Sequence, residues 1–205
     1  MNGTVHIVDD DEAIRDALGW LLQSRGLAWQ GYDSAEAFHQ AVDQARAGCL
    51  VLDIRMGGMS GLELFNLLSE QGFPLPVIFL TGHGDVPMAV SALKKGAFDF
   101  FEKPFNDNDL VNRVIEALEN DARRRDQETA SDSIRHKLDA LTPRERQIMD
   151  LILAGKYNKV IADELSISMR TVEVHRANLL DKMGVRTAVE LARLLQSATE
   201  GRSAP

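Results

Sequence analysis

The sequence predicts two domains of different class: a doubly wound α/β domain with a five-stranded parallel sheet, followed by an all-α domain of four helices. The first domain is indicated by five short apolar runs that alternate with segments of helical periodicity. These runs are continuously apolar, which is typical of parallel strands covered on both faces. The second domain is indicated by a C-terminal part in which only helical periodicity occurs.

The predicted strands of the first domain are residues 4–8, 27–32, 49–52, 76–80 and 98–101, and a helical segment follows each of them. Asp11 is placed to contribute helix-capping charge before the first helix, and Ser34 can cap the second. A glycine-rich loop at residues 56–61 leads into the third helix. We therefore assign residues 1–121 to the α/β domain.

Apolar periodicity fades after this domain, and we interpret residues 122–138 as a linker that can begin as an extension of the preceding helix. Residues 139–205 form the predicted helical domain. Thr142 and Glu145 make a capping box with proline at the first helical position, and a second box is predicted at Thr187 and Glu190. Asn158 is predicted to cap a short helix that a tight turn joins to the helix of residues 169–183. This is a helix-turn-helix layout.

Composition narrows the class of protein further. The net charge of −8 divides unevenly, because residues 1–120 carry 8 Lys and Arg against 18 Asp and Glu, whereas residues 121–205 carry 15 against 13. Two modules with different partners are therefore expected. The single cysteine, Cys49, excludes an internal disulfide and a cysteine-rich zinc site. The sequence shows neither a membrane span nor a secretory signal, so we expect a cytoplasmic protein without a membrane partner.

Carboxylates cluster where the first and third predicted strands end. Asp9 and Asp10 follow the first strand, and Asp53 follows the third. If the chain begins at the centre of the sheet, these strands are neighbours and the carboxylates share one site at the carboxyl edge. Two such charges 4 Å apart repel by roughly 4 kcal/mol at an effective dielectric constant of about 20, and a Mg²⁺ ion relieves that repulsion.

A hydroxyl and an ammonium group are predicted at the same edge, because Thr81 ends the fourth strand and Lys103 follows the fifth. This set suits phosphoryl transfer to a metal-bound carboxylate: the metal and the lysine neutralise developing charge, and the hydroxyl holds a phosphoryl oxygen. Each residue alone has an ordinary explanation as helix-terminal charge, strand end or solvated lysine. Four strand ends that each supply a needed group favour the functional interpretation.

Several segments resemble the receiver domain of two-component response regulators, which has a flavodoxin-like fold. They are residues 5–10, Leu52-Asp53, 59–61, 81–90 and Lys103-Pro104-Phe105, and nearly the whole chain is similar to the FixJ-like branch of the NarL/LuxR-type regulators. The resemblance implies that Asp53 is the phosphoacceptor and that Asp9 and Asp10 are the metal-site acids, with Asp10 and the Arg55 carbonyl as direct ligands. It also implies that Thr81 and Phe100 are the switch residues.

The loop after Asp53 departs from the pattern of this family, which usually has proline where Gly57 stands. Because proline would stiffen the loop, we expect glycine to leave it looser. Arg55 and His83 lie two residues beyond Asp53 and Thr81, at positions that tune the phosphoryl lifetime in similar proteins. We hypothesise that these large cationic side chains hinder the hydrolytic water. A metal-binding role for His83 is disfavoured, because no second histidine lies near it in the sequence.

The helix predicted at residues 169–183 has a core side formed by Val172, Leu179 and Met183, with His175 at its edge. The opposite face mixes polar and small apolar side chains, which fits a DNA major groove: Arg170, Glu173, Val174, Ala177, Asn178 and Asp181. There the apolar members can contact thymine methyls, Glu173 can accept a hydrogen bond from cytosine, and Asn178 or Arg170 can reach a base or a phosphate. Candidates for phosphate contacts are Lys156, Asn158, Lys159, Arg176 and Lys182. A plain helical bundle is the alternative that this pattern leaves open.

Residues 171–178, which begin with Thr171, are similar to the LuxR-type recognition helix, and residues 141–145 resemble the opening of that family. The resemblance implies binding to double-stranded promoter DNA. A charge of only +2 on this half of the chain predicts weak binding by one copy, so we expect dimers on paired half-sites.

Together these features predict a transcriptional regulator rather than an enzyme. A sensor histidine kinase, or a small acyl phosphate, phosphorylates Asp53; the face of the fourth helix and fifth strand then repacks and favours a homodimer that binds DNA. RNA polymerase is a further candidate partner. One alternative is a phosphorylation-independent regulator with a degenerate receiver, which the intact set of pocket residues disfavours. Another is a phosphatase of the haloacid-dehalogenase kind, which would need an aspartate where Arg55 stands.

Overall fold

A five-stranded parallel sheet forms the N-terminal part of the chain. The computed structural model describes residues 3–41, 47–82 and 86–200. Within them the strands lie in the order β2-β1-β3-β4-β5. Their bounds are β1 Thr4–Val8, β2 Ala28–Tyr32, β3 Gly48–Asp53, β4 Val77–Thr81 and β5 Asp99–Glu102. Each predicted strand is found, with bounds that differ by no more than one residue at either end.

Helices cover both faces of this sheet: α1 Glu12–Ser24, α2 Ala35–Ala41, α3 Gly61–Glu70, α4 Val86–Lys94 and α5 Asp107–Asp139. Asp11 caps α1 by accepting a hydrogen bond from the Ala13 N–H, and Ser34 accepts one from Ala37 at the start of α2. Ser60 and Glu63 form a reciprocal capping box at α3. These side chains satisfy N–H groups that a helix start otherwise leaves unpaired.

The register of the sheet brings the strand ends together. Val8 pairs with Leu52, so Asp9 and Asp53 leave β1 and β3 side by side. Asp53 pairs with Leu80, the residue before Thr81. The expectation that the first and third strands are neighbours is confirmed, and β3 is the middle strand of the sheet.

Two apolar cores hold the helices against the sheet. One contains Phe38, Leu64 and Phe79, and the other contains Ile7, Leu80 and Val114. The central strands β1, β3 and β4 are almost wholly buried, whereas β2 and β5 at the edges are partly exposed. The doubly wound architecture predicted from continuous apolar runs is therefore confirmed.

The chain divides into two compact units, Met1–Arg124 and Arg125–Pro205. The second unit contains the helices α6 Pro143–Leu153, α7 Asn158–Glu164, α8 Met169–Met183 and α9 Ala188–Glu200 around its own core. Helix α5 runs to Asp139, so the residues interpreted as a linker are helical, and Leu138 at its end packs against the core of the second unit. No helix in the described ranges has the length and apolarity needed to cross a bilayer.

Two predicted caps in the second unit differ from the structure. Tyr157, not Asn158, is the N-cap of α7, and its side chain makes no cap bond. The Asn158 side chain accepts a hydrogen bond from Arg176 instead. Thr187 accepts from the Glu190 N–H as predicted, but the Glu190 carboxylate accepts from Arg186 rather than Thr187. The capping box at Thr142 and Glu145 is present with its proline.

Candidate functional site

The carboxyl edge of the sheet holds a compact charged site. Asp9, at the end of β1, is 1% exposed, and Asp53, the last residue of β3, is 6% exposed. Asp10 lies beside them on the surface. Two adjacent carboxylates with so little access to water require a cation or several hydrogen-bond donors.

Lys103, directly after β5, supplies the positive charge. Its Nζ lies 2.9 Å from Asp9 Oδ2 and 2.6 Å from Asp53 Oδ1, so it bridges both carboxylates. The backbone N–H of Lys103 donates to the Thr81 carbonyl, which fixes the start of the side chain at the strand edge. Burial disfavours the charged ammonium, but the hydrogen bonds to Asp53 and Asp9 outweigh burial and raise the pKa of Lys103.

Burial is also the largest influence on Asp53, and it raises the pKa of this carboxyl. The negative charge of Asp9 acts in the same direction, whereas Lys103 and the Arg55 N–H lower the pKa without cancelling burial. The Arg55 N–H donates to Asp53 Oδ2 over 2.8 Å. Asp53 is thus a carboxylate whose charge is costly to its surroundings and is supported by one ammonium and one N–H group.

The oxygen atoms at this edge are chemically suited to a hard cation such as Mg²⁺. Asp9, Asp10 and Asp53 offer carboxylate oxygens, and Arg55 offers its carbonyl next to Asp53. Asp10 Oδ2 accepts a hydrogen bond of 2.9 Å from the Gly57 N–H. Among residues 3–41, 47–82 and 86–200, no three acidic, histidine or cysteine side chains are already arranged around a common metal position. The donor set therefore fits Mg²⁺ in chemistry.

The other pocket residues predicted from sequence lie around this cluster. Thr81 is fully buried, and its hydroxyl donates to the Gly82 carbonyl rather than to a carboxylate. Phe100 is half-buried, pairs with Phe79 in the register of β4 and β5, and packs against the core beneath α4. His83 lies outside the described residues.

An apolar groove beside Lys103 was not predicted from the sequence. It has a volume of about 410 Å³ and lies between α1 and the segment after β5; its apolar lining includes Ala13, Ile14, Ala17, Leu21, Pro104 and Phe105. The helical periodicity of the sequence predicts that the apolar residues of α1 face the core. It does not indicate that part of this apolar face remains accessible at the surface. Lys103, which bridges to Asp53, also lines this groove.

Helix α8 presents the mixed face predicted for DNA reading. Val172, Leu179 and Met183 are fully buried. The side chains on the other face are exposed, and Val174 keeps 52% of its surface in solvent: Arg170, Glu173, Val174, Ala177, Asn178 and Asp181. The Thr171 N–H donates to Ser168 Oγ at the helix start. Val174 and Ala177 give this polar face an apolar surface that can contact thymine methyls.

The predicted phosphate contacts differ in their surroundings. Lys159 is exposed, whereas Arg176 is half-buried and donates to Asn158 Oδ1. Lys156 forms an ion pair with Glu164. These three side chains lie on or beside the helix-turn-helix formed by α7 and α8.

Lys182 has a structural contact that the sequence did not reveal. Its Nζ lies 2.7 Å from the carboxylate of Glu145, which is 3% exposed, and it also donates to the Ala140 carbonyl. Burial favours protonation of Glu145, but bonds from Lys182 and Thr142 outweigh it and lower the pKa of Glu145. A phosphate-binding role for Lys182 stays a prediction, and here the side chain neutralises a buried acid.

One exposed aromatic residue of the second unit was missed. Tyr157, directly before α7, is 82% exposed. It precedes Asn158, whose side chain contacts Arg176 of α8. Tyrosine hydroxyls are common phosphate contacts, so the position of Tyr157 between Lys156 and Asn158 could have indicated a further DNA-contacting residue.

Comparison with known proteins gives matches over both units. Residues 5–115 match the response regulator receiver domain, and residues 139–195 match the luxR family of bacterial regulatory proteins. The chain is 47% identical over 196 residues to the C4-dicarboxylate transport transcriptional regulatory protein DctR of Rhodobacter capsulatus, covering 95% of this chain and all of that one. It is 46% identical over 201 residues to the transcriptional regulatory protein FixJ of Rhizobium meliloti, covering 98% of each.

A solved structure is similar as well. The response regulator StyR superposes with a TM-score of 0.89 at 40% sequence identity, and the match covers 94% of this chain and 98% of that one.

Proposed function

The chain belongs to the two-component response regulators that join a receiver domain to a LuxR-type DNA-binding domain, and from this premise we propose that phosphorylation of Asp53 controls its binding to promoter DNA. The resemblance read from the sequence is confirmed, and the family acts on transcription rather than as an enzyme. The observation that best supports the proposal is the bridge from Lys103 to Asp9 and Asp53 at the carboxyl edge of the sheet.

The proposed phosphoryl donor is the phosphohistidine of a sensor histidine kinase or a small acyl phosphate. A carboxylate oxygen of Asp53 forms a bond to phosphorus while the bond from phosphorus to the leaving nitrogen or oxygen breaks, and the leaving group keeps the electron pair. Asp53 must be ionised for this attack, and Lys103 stabilises that form. Lys103 also lies where charge grows on the transferred group, so it lowers the barrier electrostatically.

Asp9, Asp10, Asp53 and the Arg55 carbonyl would hold Mg²⁺. When bound, the ion supplies positive charge that screens the carboxylates and the incoming phosphoryl group. The structural basis for this assignment is the crowding of nearly buried carboxylates around a single ammonium group. Asp10 would contribute its second carboxylate oxygen, since the Gly57 N–H is bound to Oδ2.

Arg55 and His83 would set how long the phosphoryl group lasts. The Arg55 side chain is exposed two residues beyond Asp53, where a large cation can hinder the approach of the hydrolytic water. This part of the proposal predicts faster loss of phosphate from Arg55→Asn, measured as decay of the phosphorylated protein. An unchanged decay would contradict it.

The phosphoryl group would act on the rest of the receiver through Thr81 and Phe100. Its added charge of roughly −1.5 to −2 attracts the Thr81 hydroxyl away from the Gly82 carbonyl. Movement of Thr81 opens space into which Phe100 turns, and the face formed by α4 and β5 repacks. Met88 and Val90 are exposed apolar residues of α4 that such a face can bury in a homodimer.

The dimer would place two copies of α8 on successive half-sites of promoter DNA. Glu173, Val174, Ala177 and Asn178 face the bases, while Lys159, Arg170 and Arg176 contact phosphates. Dimerisation compensates for the weak charge of a single DNA-binding domain. Because the proposed target is promoter DNA, the protein would act in the cytoplasm. RNA polymerase is a further candidate partner.

The decisive experiment measures phosphorylation and dimerisation together. Wild-type protein incubated with a small acyl phosphate and Mg²⁺ gains a phosphoryl adduct by intact mass spectrometry and becomes a dimer by light scattering. Asp53→Asn gains neither, because the attacking oxygen is lost. Asp33→Asn is the matched control, since Asp33 follows β2 at the same edge of the sheet and is exposed.

Two results would contradict the proposal. An adduct on Asp53→Asn moves the phosphoacceptor elsewhere. Wild-type protein that binds DNA tightly without any adduct supports the degenerate-receiver alternative. The haloacid-dehalogenase alternative is excluded by the family of the chain and by Arg55 in the position of the required second aspartate.

A further inference from the structure

We infer that Glu36 is a positioning residue for the magnesium site, acting through the loop between β3 and α3. The inference rests on the proposed function, because the loop carries the Arg55 carbonyl that would bind the ion. Glu36 lies in the first turn of α2, is exposed, and belongs to none of the pocket residues described above.

The base of this loop is closed by backbone contacts. The Gly61 N–H donates to the Ile54 carbonyl, and the Ile54 N–H donates to Leu80 of β4. A Cβ at Gly61 would lie only 2.1 Å from the Asp53 carbonyl oxygen, so the two ends of the loop are in direct contact. The positions of residues 54 and 61 are therefore set by the sheet and by α3.

Carboxylates from two other elements hold the tip of the loop. Asp10 accepts the Gly57 N–H at 2.9 Å, and Glu36 Oε1 accepts the Met59 N–H at 2.8 Å. The Glu36 carboxylate also lies close to Gly58, since a Cβ at that position would approach its Oε1 to 2.8 Å. Gly58 has a φ of +80°, a conformation that glycine adopts without strain.

These two contacts stand in different relations to the metal site. Asp10 is itself a proposed ligand, so its carboxylate would be shared between the ion and the Gly57 N–H. Glu36 is not a ligand, so its bond to Met59 holds the loop without competition from the ion. Without that bond, the segment from Arg55 to Met59 samples more conformations, and their loss on binding reduces the affinity for the ion.

Three variants separate this contact from the negative charge of Glu36. Glu36→Gln keeps an acceptor oxygen at the same reach and removes the charge. Glu36→Asp keeps the charge, but its side chain is one methylene too short to reach Met59. Glu36→Ala removes both.

Mg²⁺ binding to the full-length chain is measured by isothermal titration calorimetry with the metal alone. We expect Glu36→Gln to bind within about twofold of wild type, and Glu36→Asp and Glu36→Ala to bind about three- to tenfold more weakly, in line with one exposed hydrogen bond to a charged group. Hydrogen exchange at the Met59 amide should be faster in the same two variants and unchanged in Glu36→Gln.

The outcomes distinguish this inference from the proposed function. If Glu36→Asp binds like wild type while Glu36→Gln binds like Glu36→Ala, the effect is one of charge and the positioning role is wrong. If all variants bind Mg²⁺ as wild type does, Glu36 has no role at the metal site, which itself stands. If wild-type protein binds no Mg²⁺, the metal site and the role of Glu36 fail together.

Discussion

Replacing Lys103 by methionine should destabilise the receiver by about 3 kcal/mol at pH 7 without Mg²⁺. The ammonium group lies 2.9 and 2.6 Å from carboxylates whose side chains are only 2% and 8% exposed. Each contact at about 3 Å has a Coulomb energy of roughly 5 kcal/mol at an effective dielectric constant of 20, part of which the desolvation of Lys103 offsets. Removal of one partner from a buried ion pair costs about 3–5 kcal/mol, and the lower end applies because the Lys103 side chain is 25% exposed.

The stability that Lys103→Met loses should depend on pH because of the Asp53 carboxyl. Burial already raises the pKa of this carboxyl in the wild type, and without Lys103 it rises further. When a carboxyl has a higher pKa in the folded than in the unfolded state, the protein loses stability as pH rises. The loss begins at the unfolded-state pKa, near 4, and continues through the folded-state pKa. Lys103→Met should therefore be closer to wild type at pH 4.5 than at pH 7, and Mg²⁺ should restore part of the loss at pH 7.

Urea denaturation followed by tryptophan fluorescence measures this effect in the receiver alone, because both tryptophans, Trp20 and Trp29, lie in that unit. With an m-value near 2 kcal/mol/M, the urea midpoint should fall by about 1.5 M. Lys94→Met is the control, since Lys94 is exposed at the end of α4. A loss no larger than that of the control, or an equal loss at both pH values, would refute the reasoning.

Three further predictions concern other contacts. Gly57→Pro removes the N–H that binds Asp10 and stiffens the loop, so calorimetry should show tighter Mg²⁺ binding, whereas Gly57→Ala, which keeps that N–H, should bind as wild type. His6 is 3% exposed, and burial lowers its pKa to about 4. The stability of the receiver should therefore fall by up to about 3 kcal/mol as pH drops below 6.5, and His6→Leu should weaken that pH dependence in urea denaturation. Lys159→Ala should weaken DNA binding about equally for all sequences and reduce the salt slope by about 1, whereas Asn178→Ala should change base preference in competition assays.

The fold could be predicted almost completely, because its determinants are local. Continuous apolar runs identified the strands of a sheet covered on both faces, and the cap at Asp11 and the box at Thr142 lie within a few residues of the N–H groups they bind. The cap at Asn158 was wrong for the opposite reason. Its side chain binds Arg176, 18 residues away, and no pattern within one helix indicates such a partner.

The candidate site could be predicted as a set of residues but not as a set of bonds. Strand ends and topology place Asp9, Asp53 and Lys103 at one edge, as the register shows. The pattern could not indicate that Thr81 donates to the Gly82 carbonyl, or that Glu36 reaches Met59 across 23 residues. These bonds depend on side-chain conformations that the packing of the loops decides.

A lysine pairs with a nearly buried carboxylate at Asp53 and again at Glu145, with opposite consequences for the pKa of the acid. At Glu145, hydrogen bonds from Lys182 and from Thr142 of the capping box outweigh burial, so the pKa is lowered and the ionised form is favoured. At Asp53, burial and the adjacent Asp9 prevail over Lys103, so its pKa is raised. A carboxylate that is already well satisfied gains little from a new bond partner, whereas one that its neighbours destabilise can react. The identities of the residues therefore do not separate a structural ion pair from a reactive one; the balance of burial, hydrogen bonds and neighbouring charge around each carboxylate does.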